Sequence, residues 1–219
     1  MINKELFSKP AVHDFDWDLF KVNLDKMLIG ISKHTRTPIN ADRWEEVIYV
    51  VLKYMNFNPR WNLGSHQPGA DIWIKEFSIS AKSGNISGGF LSISSYRLTR
   101  FENLNQMVNF IDIDSDKNYD IHLCCARIDN EYHRVYKVFV LENNIFKAKD
   151  LTWSEMQGVR TSGTTGWRGV HQNGVVVEIR RKMSNQLWIN YPLRLCNQIT
   201  EIKLDASKLG SDAESLIKC

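Results

Sequence analysis

Apolar residues recur at helical spacing in the first quarter of this chain and then switch to strand spacing. Over residues 14–34, Trp17, Leu19, Phe20, Leu24, Met27 and Leu28 mark a helix. Residues 42–56 carry a clearer one. Trp44, Val47, Ile48, Val51 and Met55 follow the i, i+3, i+4 rule, and Asn40 or Asp42 is placed to cap it. At about 100° per residue, Glu45 borders that apolar stripe beside Ile48 and Leu52, while Glu46 points away. A carboxylate is therefore expected at the edge of the core; the plainer reading is the solvated flank of an amphipathic helix.

Residues 69–84 then read Gly-Ala-Asp-Ile-Trp-Ile-Lys-Glu-Phe-Ser-Ile-Ser-Ala-Lys-Ser-Gly. They predict a β-hairpin turning at Lys75-Glu76, which places Asp71 opposite Ser80, Ile72 opposite Ile79 and Trp73 opposite Ser78. Opposed residues share a face, as do alternate residues of one strand. Asp71, Ser80 and Lys82 are thus expected together. Lys-Glu is not a favoured tight-turn pair, and a longer loop would slip the register by one and scatter the cluster. A carboxylate and a lysine on one hairpin edge can hold a divalent metal and position a water beside it. The bland alternative is a half-buried strand with Asp71 in a solvated turn.

Beyond the hairpin, residues 83–89 read as a Gly/Ser-rich loop. A helix is expected from a cap at Ser94 or Ser95 through about residue 111, with Leu98, Phe101, Leu104, Val108 and Ile111 on one face and Glu102 early in it. Residues 119–128 and 131–141 are strands around Asp129-Asn130, and the apolar run 121–126 is a central strand buried on both faces. A loop over 158–174, strands over 175–182 and 186–191, and a loosely ordered polar tail from Lys203 complete the pattern. Helix, hairpin, helix and strands give an α/β fold with a mixed β-sheet core flanked by helices. At 219 residues and 43% hydrophobic content, one domain over 1–219 is expected.

Composition narrows the setting. Four cysteines without CxxC spacing suit a reducing, cytoplasmic location. The opening Met-Ile-Asn-Lys-Glu-Leu has no long apolar run, so no signal peptide is expected, and no stretch approaches a membrane span. Asp112-x-Asp114-x-Asp116 starts like a calcium loop, but Lys117 and Leu123 occupy its glycine and glutamate positions, so it reads as a polar helix terminus. Histidine spacing does not fit zinc, and no phosphate-binding loop is present. Charge is uneven. Residues 156–194 hold Arg160, Arg168, Arg180, Arg181, Lys182 and Arg194 against Glu178, a net +5 in a chain of net +3, which leaves −2 elsewhere. Residues 160–174 add His171, Gln172 and Asn173 among glycines. Arg, Gln and Asn make bidentate contacts to purine edges; a surface loop of a mildly basic protein is the plainer reading.

Trp44-Glu45-Glu46-Val47-Ile48 on a helix, with Gly69-Ala70-Asp71 and Ser80-Ala81-Lys82 on a hairpin, resembles the PD-(D/E)XK nuclease superfamily, and within it the type II restriction endonucleases. The resemblance covers roughly residues 40–128. In that family a glutamate-bearing helix precedes a hairpin with an acid and an acid-x-lysine triplet. Ala70 replaces the usual proline, and Ser80 replaces the second acid, a poor exchange for Mg2+ binding. A Ser-x-Lys subgroup takes the missing carboxylate from a downstream helix, for which Glu102 is the candidate here. The resemblance implies a restriction-endonuclease-like fold with its catalytic core at about 40–128. It implies Mg2+ held by Asp71, the Ala81 carbonyl and Glu102, with Lys82 on the attacking water and Glu45 orienting a metal-bound water or Lys82. It further implies double-strand cuts in DNA leaving 5′-phosphates, a homodimer on palindromic sites, recognition through about 156–194, and Arg97 and Arg100 clamping phosphates. A structure-specific repair nuclease, or a DNA-binding module that has lost a metal ligand, are the alternatives.

Overall fold

The computed structural model describes residues 2–61, 69–157 and 165–212, without the side chains of 115–117 and 182. Helices α1 (Pro10–His13), α2 (Trp17–His34) and α3 (Ala41–Tyr54) come first, followed by short strands β1 (Arg60–Trp61) and β2 (Ile72–Trp73). Strands β3 (Ser78–Ser87) and β4 (Phe90–Arg97) lead into α4 (Leu104–Lys117), then β5 (Ile121–Asp129) and β6 (His133–Glu142). Strands β7 (Thr152–Gln157), β8 (Thr165–Val170), β9 (Val176–Arg180), β10 (Gln186–Pro192) and β11 (Asn197–Asp205) follow. All belong to one mixed sheet, ordered β11-β6-β5-β3-β4-β10-β9-β8-β7, with β2 joining β3 and β1 joining β2. The architecture is α/β, a large mixed sheet flanked by helices.

The sheet separates two apolar cores. On one face α2 and α3 pack Phe20, Leu24, Trp44, Ile48 and Leu52 against Ile79, Leu123 and Val138. On the other, α4 contributes Met107, Val108 and Ile111 beside Ile93, Cys124, Val177 and Ile189. Strand β5 feeds both, so residues 121–126 are buried throughout, as the apolar run required. The Trp44 indole donates to the Leu123 carbonyl at 2.9 Å and pins α3 to β5.

The hairpin has the expected register. Ile72 faces Ile79 and Trp73 faces Ser78, with Ile74 N–H bonded to the Phe77 carbonyl at 3.0 Å across Lys75-Glu76. Because β5 runs parallel to β3, Ser80 lies beside His122 and Lys82 beside Cys124.

Other expectations are corrected. Residues 83–87 are strand, and the loop shrinks to Gly88-Gly89, whose φ angles of 57° and 80° are what a tight two-residue hairpin turn needs. Gly84 permits a close approach to β4: a Cβ there would stand 2.8 Å from Leu91 Cδ1. The helix expected from Ser94 begins only at Leu104. Phe90 to Ser94 alternates like a strand, and the cap is Asn103, whose side chain accepts from Gln106 N–H at 3.0 Å. The polar tail is a paired edge strand through Asp205, opposite β6. Of the loop expected over 158–174, residues 165–170 are strand β8, and 158–164 lie outside the described residues.

Asp120 fixes the start of both central strands. Its N–H donates to the Ser78 carbonyl at 3.1 Å, and its Oδ2 accepts from the Ser78 amide and hydroxyl, each at 2.7 Å. Its Oδ1 meets Lys9 Nζ at 2.9 Å. Burial opposes its charge, but Lys9 and the Ser78 donors outweigh it and hold the carboxyl below its usual range. A depressed folded pKa gives stability that is present above the unfolded value, about 3.9, and lost as pH falls through the folded one. The side chain is 34% exposed, so solvent screening limits the worth of its charge. Asp120→Asn should cost about 1 kcal/mol at pH 7. In urea denaturation the deficit should hold from pH 7 to about pH 5 and shrink as pH falls below about 4; a deficit that stays constant through that lower range would refute the charge argument.

Candidate functional site

Strand β3 is claimed on one edge by two partners. Residues 78–79 pair with β2, and residues 84–87 pair with β4. Residues 80–83 keep β5 on the other edge but have no ladder partner on this one among the described residues. The sheet opens there into a cleft of about 760 Å³. Its walls come from the start of α3 (Asp42, Glu45), the segment before β2 (Gly69, Asp71), the open stretch of β3, the end of β4 with Thr99 and Arg100, Asp114 of α4, Tyr119, and Gln186 of β10.

Asp71, Ser80 and Lys82 line the cleft, as the hairpin parity requires, and Ala81, which packs into the α2–α3 core, also borders it. Asp71 Oδ2 accepts the Ala81 N–H at 2.7 Å and stands 3.5 Å from Lys82 Nζ. The pair is sheltered, with side-chain exposures of 14% and 20%. Asp71 Oδ1 has no partner among the described residues. Glu45, one turn into α3, also lines the cleft, its Oε2 accepting from the Trp61 indole at 3.1 Å. Burial, with the Asp71 charge adding to it, raises the Glu45 carboxyl above its ordinary value; Trp61 and Lys82 pull against that rise.

Glu102 is not among the cleft-lining residues. It is exposed just before α4, and its N–H donates to Gln106 Oε1 at 2.9 Å. The carboxylate that α4 brings to the cleft is Asp114, only 1% exposed. Asn118 Nδ2 donates to its Oδ1 at 2.7 Å, and Tyr96 lines the cleft beside it, its hydroxyl within electrostatic reach. Burial raises its pKa, while Asn118, Tyr96 and the Lys82 and Arg100 cations restrain the rise. The signal for Asp114 was present in the sequence. Counted from Leu104, Met107 and Ile111, it falls in phase with the apolar stripe of α4, where a carboxylate is out of place unless the stripe ends at a polar site.

Arg97 and Arg100 line the cleft and are exposed. Arg100 also lies over the rings of Phe101 and Phe110, at 4.8 and 4.3 Å. The remaining basic residues are more dispersed. Arg160 lies outside the described residues, as does the Lys182 side chain. Arg168 and Arg180 share the buried Glu178 at 3.5 and 2.7 Å, and Arg181 pairs with Glu155 at 3.0 Å. Arg180 sits opposite Gln186, at the cleft end of β9. His171, Gln172 and Asn173 form the turn at the other end, beyond a four-residue run of about 13 Å. Asn173 is committed to that turn: its Oδ1 accepts from Val175 N–H and its Nδ2 donates to the Ile145 carbonyl.

Among the described residues, no group of three or more His, Cys, Asp or Glu side chains is placed to hold a metal ion. An ion here would rest on at most two protein carboxylates plus water and a carbonyl. That is how Mg2+, reluctant to shed its waters, is commonly held. Asp71 and Asp114 are hard oxygen donors, and the three carboxylates outnumber Lys82, so the donor set fits such an ion. No helix among the described residues is long and apolar enough to cross a membrane. Comparison with family models, curated proteins and solved structures finds no match to this chain.

The raised Glu45 carboxyl has a measurable consequence. An acid whose folded pKa is raised favours the fold while protonated and opposes it once pH climbs through that value. Glu45→Gln keeps an acceptor for Trp61 and removes the buried charge. The variant should be more stable than wild type at pH 8 and indistinguishable from it at pH 4 in guanidinium denaturation. Destabilisation at pH 8 would mean that the pairing with Lys82 outweighs burial.

Proposed function

We propose that this chain is a Mg2+-dependent DNA endonuclease of the PD-(D/E)XK type, acting as a type II restriction enzyme with a restriction-endonuclease-like fold. The observation that carries the reading is the meeting of Asp71 and Lys82 in one cleft with Glu45 from the preceding helix and Asp114 from the following one. In this reading Asp71 and the Ala81 carbonyl would hold the ion, and Asp114 takes the part expected of Glu102. Bound Mg2+ supplies charge neutralisation at the phosphate and a more acidic water. Lys82 hydrogen-bonds the attacking water and stabilises charge that develops on the phosphate. Glu45 orients a neighbouring water or the lysine. In-line attack on phosphorus leaves 5′-phosphate ends. Arg97 and Arg100 clamp the backbone of double-stranded DNA, while Arg168, Arg180 and Arg181 reach it only by giving up acidic partners. A palindromic site would call for two copies of the chain, acting in the cytoplasm.

Ser80 in the acid position favours a second reading, a DNA-binding module on the same fold that has lost catalysis. Phage DNA incubated with and without Mg2+ separates the two. The nuclease reading expects discrete Mg2+-dependent fragments, lost at least about 100-fold in Lys82→Ala, Asp71→Asn and Asp114→Asn, roughly the scale of removing one preorganised charge-stabilising group. Glu102→Ala should cut normally. A gel shift without cutting would select the binding module, and cutting that survives Lys82→Ala would reject the site.

A further inference from the structure

The acid on α4 is flanked by two residues, Tyr96 and Asn118, that the reaction itself does not require. A β-bulge lies in β4: Trp188 of β10 pairs with Ser94, yet Gln186, two residues away, pairs with Arg97, three residues away. The extra residue turns Tyr96 onto the α4 face, where its ring packs edge-on against Phe110 at 5.4 Å. Re-aiming a side chain beside a functional site is a recurrent use of such bulges. Tyr96 thereby lines the cleft alongside Asp114, its hydroxyl on the side of that carboxylate. Asn118 holds Asp114 from the end of α4 at 2.7 Å. Asn118 also touches the other acid-bearing segment. Gly69, two residues before Asp71, runs so close that a Cβ there would stand 3.2 Å from Asn118 Cβ.

We propose that Tyr96 and Asn118 are positioning residues that fix the Asp114 carboxylate beside Lys82 and set its reach to a divalent cation bound with Asp71. The inference rests on the nuclease reading for its chemistry but not for its test. A carboxylate held by Asn118 and flanked by Tyr96 has fewer rotamers open to it, and a ligand that need not be ordered on binding costs less to recruit. Tyr96→Phe keeps the ring packed on Phe110 and removes only the hydroxyl. Asn118→Ala leaves the ring side untouched.

The experiment measures Mn2+ binding to the full-length protein by calorimetry, without DNA, and Mg2+ dependence of phage DNA cleavage in parallel. Each variant should weaken Mn2+ binding about 10-fold, the lower end for groups that orient metal ligands. Each should raise the Mg2+ concentration for half-maximal cleavage by a similar factor, with a near wild-type rate at saturating Mg2+. Thermal midpoints without metal identify any variant that merely misfolds, and the other variant then decides. Unchanged Mn2+ affinity in both variants, or a rate loss that saturating Mg2+ does not restore, overturns the proposal. A wild type that binds Mn2+ but cuts no DNA would end the nuclease reading while the Mn2+ arm still judges Tyr96 and Asn118. A wild type that binds no Mn2+ overturns the positioning role itself.

Discussion

The cleft depends on one hydrogen bond, from the Ala81 amide to the Asp71 carboxylate at 2.7 Å. Two strands compete for the same edge of β3, and neither covers its middle. A sheltered peptide N–H left unpaired there would cost about 1–3 kcal/mol. A carboxylate at position 71 meets that need and keeps a second oxygen available to a ligand. The same residue therefore closes the ladder electrostatically and opens the sheet physically. An apolar side chain at this position would strand the amide and let β2 and β4 close the gap in some other way.

The charges around this opening are in tension. Glu45 and Asp114 both have raised carboxyls, burial being the first cause in each case. Lys82 lies within electrostatic reach of Glu45, Asp71 and Asp114, so a single ammonium serves three acids. A fold that keeps such an excess of sheltered carboxylates sacrifices some stability, since buried charge is costly unless matched. A cation that entered the cleft would relieve that cost. The same imbalance leaves the cleft ill-suited to phosphate by itself; Arg97 and Arg100 at the rim supply the opposite sign where a backbone would pass.

What the sequence disclosed was local, and what it hid was relational. The hairpin register followed from parity because Ile72, Ile79 and Phe77 all have to face the α2–α3 core; a one-residue slip would have exposed them. Glu45 was legible for the same reason, its angle on α3 being fixed by Trp44 and Ile48. The acid on α4 was obscured by a competition among caps. Ser94, Ser95 and Asn103 all offer N-cap chemistry, and the outcome turned on β4 pairing with β10, a partner about ninety residues further on in the sequence. Once the helix starts at Leu104, Glu102 falls outside it and Asp114 enters the apolar phase. The arginine-rich segment misled through counting. Net +5 over residues 156–194 does not show that Arg168, reaching across from β8, and Arg180, two residues along β9, converge on buried Glu178.

The site thus stands at a seam between two cores. Glu45 is carried by a helix of the α2–α3 core and Asp114 by the helix of the opposite one, and the two clusters share no residue. They meet only through the strands between them, chiefly β5, which is buried on both faces. The distance between the two acids is consequently set by the thickness and twist of the sheet rather than by any contact between α3 and α4. Repacking either core would move one acid against the other with no substitution in the cleft itself. Asp71 and Lys82, tied to each other on the sheet itself, would stay in place. The hairpin pair is the fixed point of this arrangement, and the two helix acids are its adjustable members.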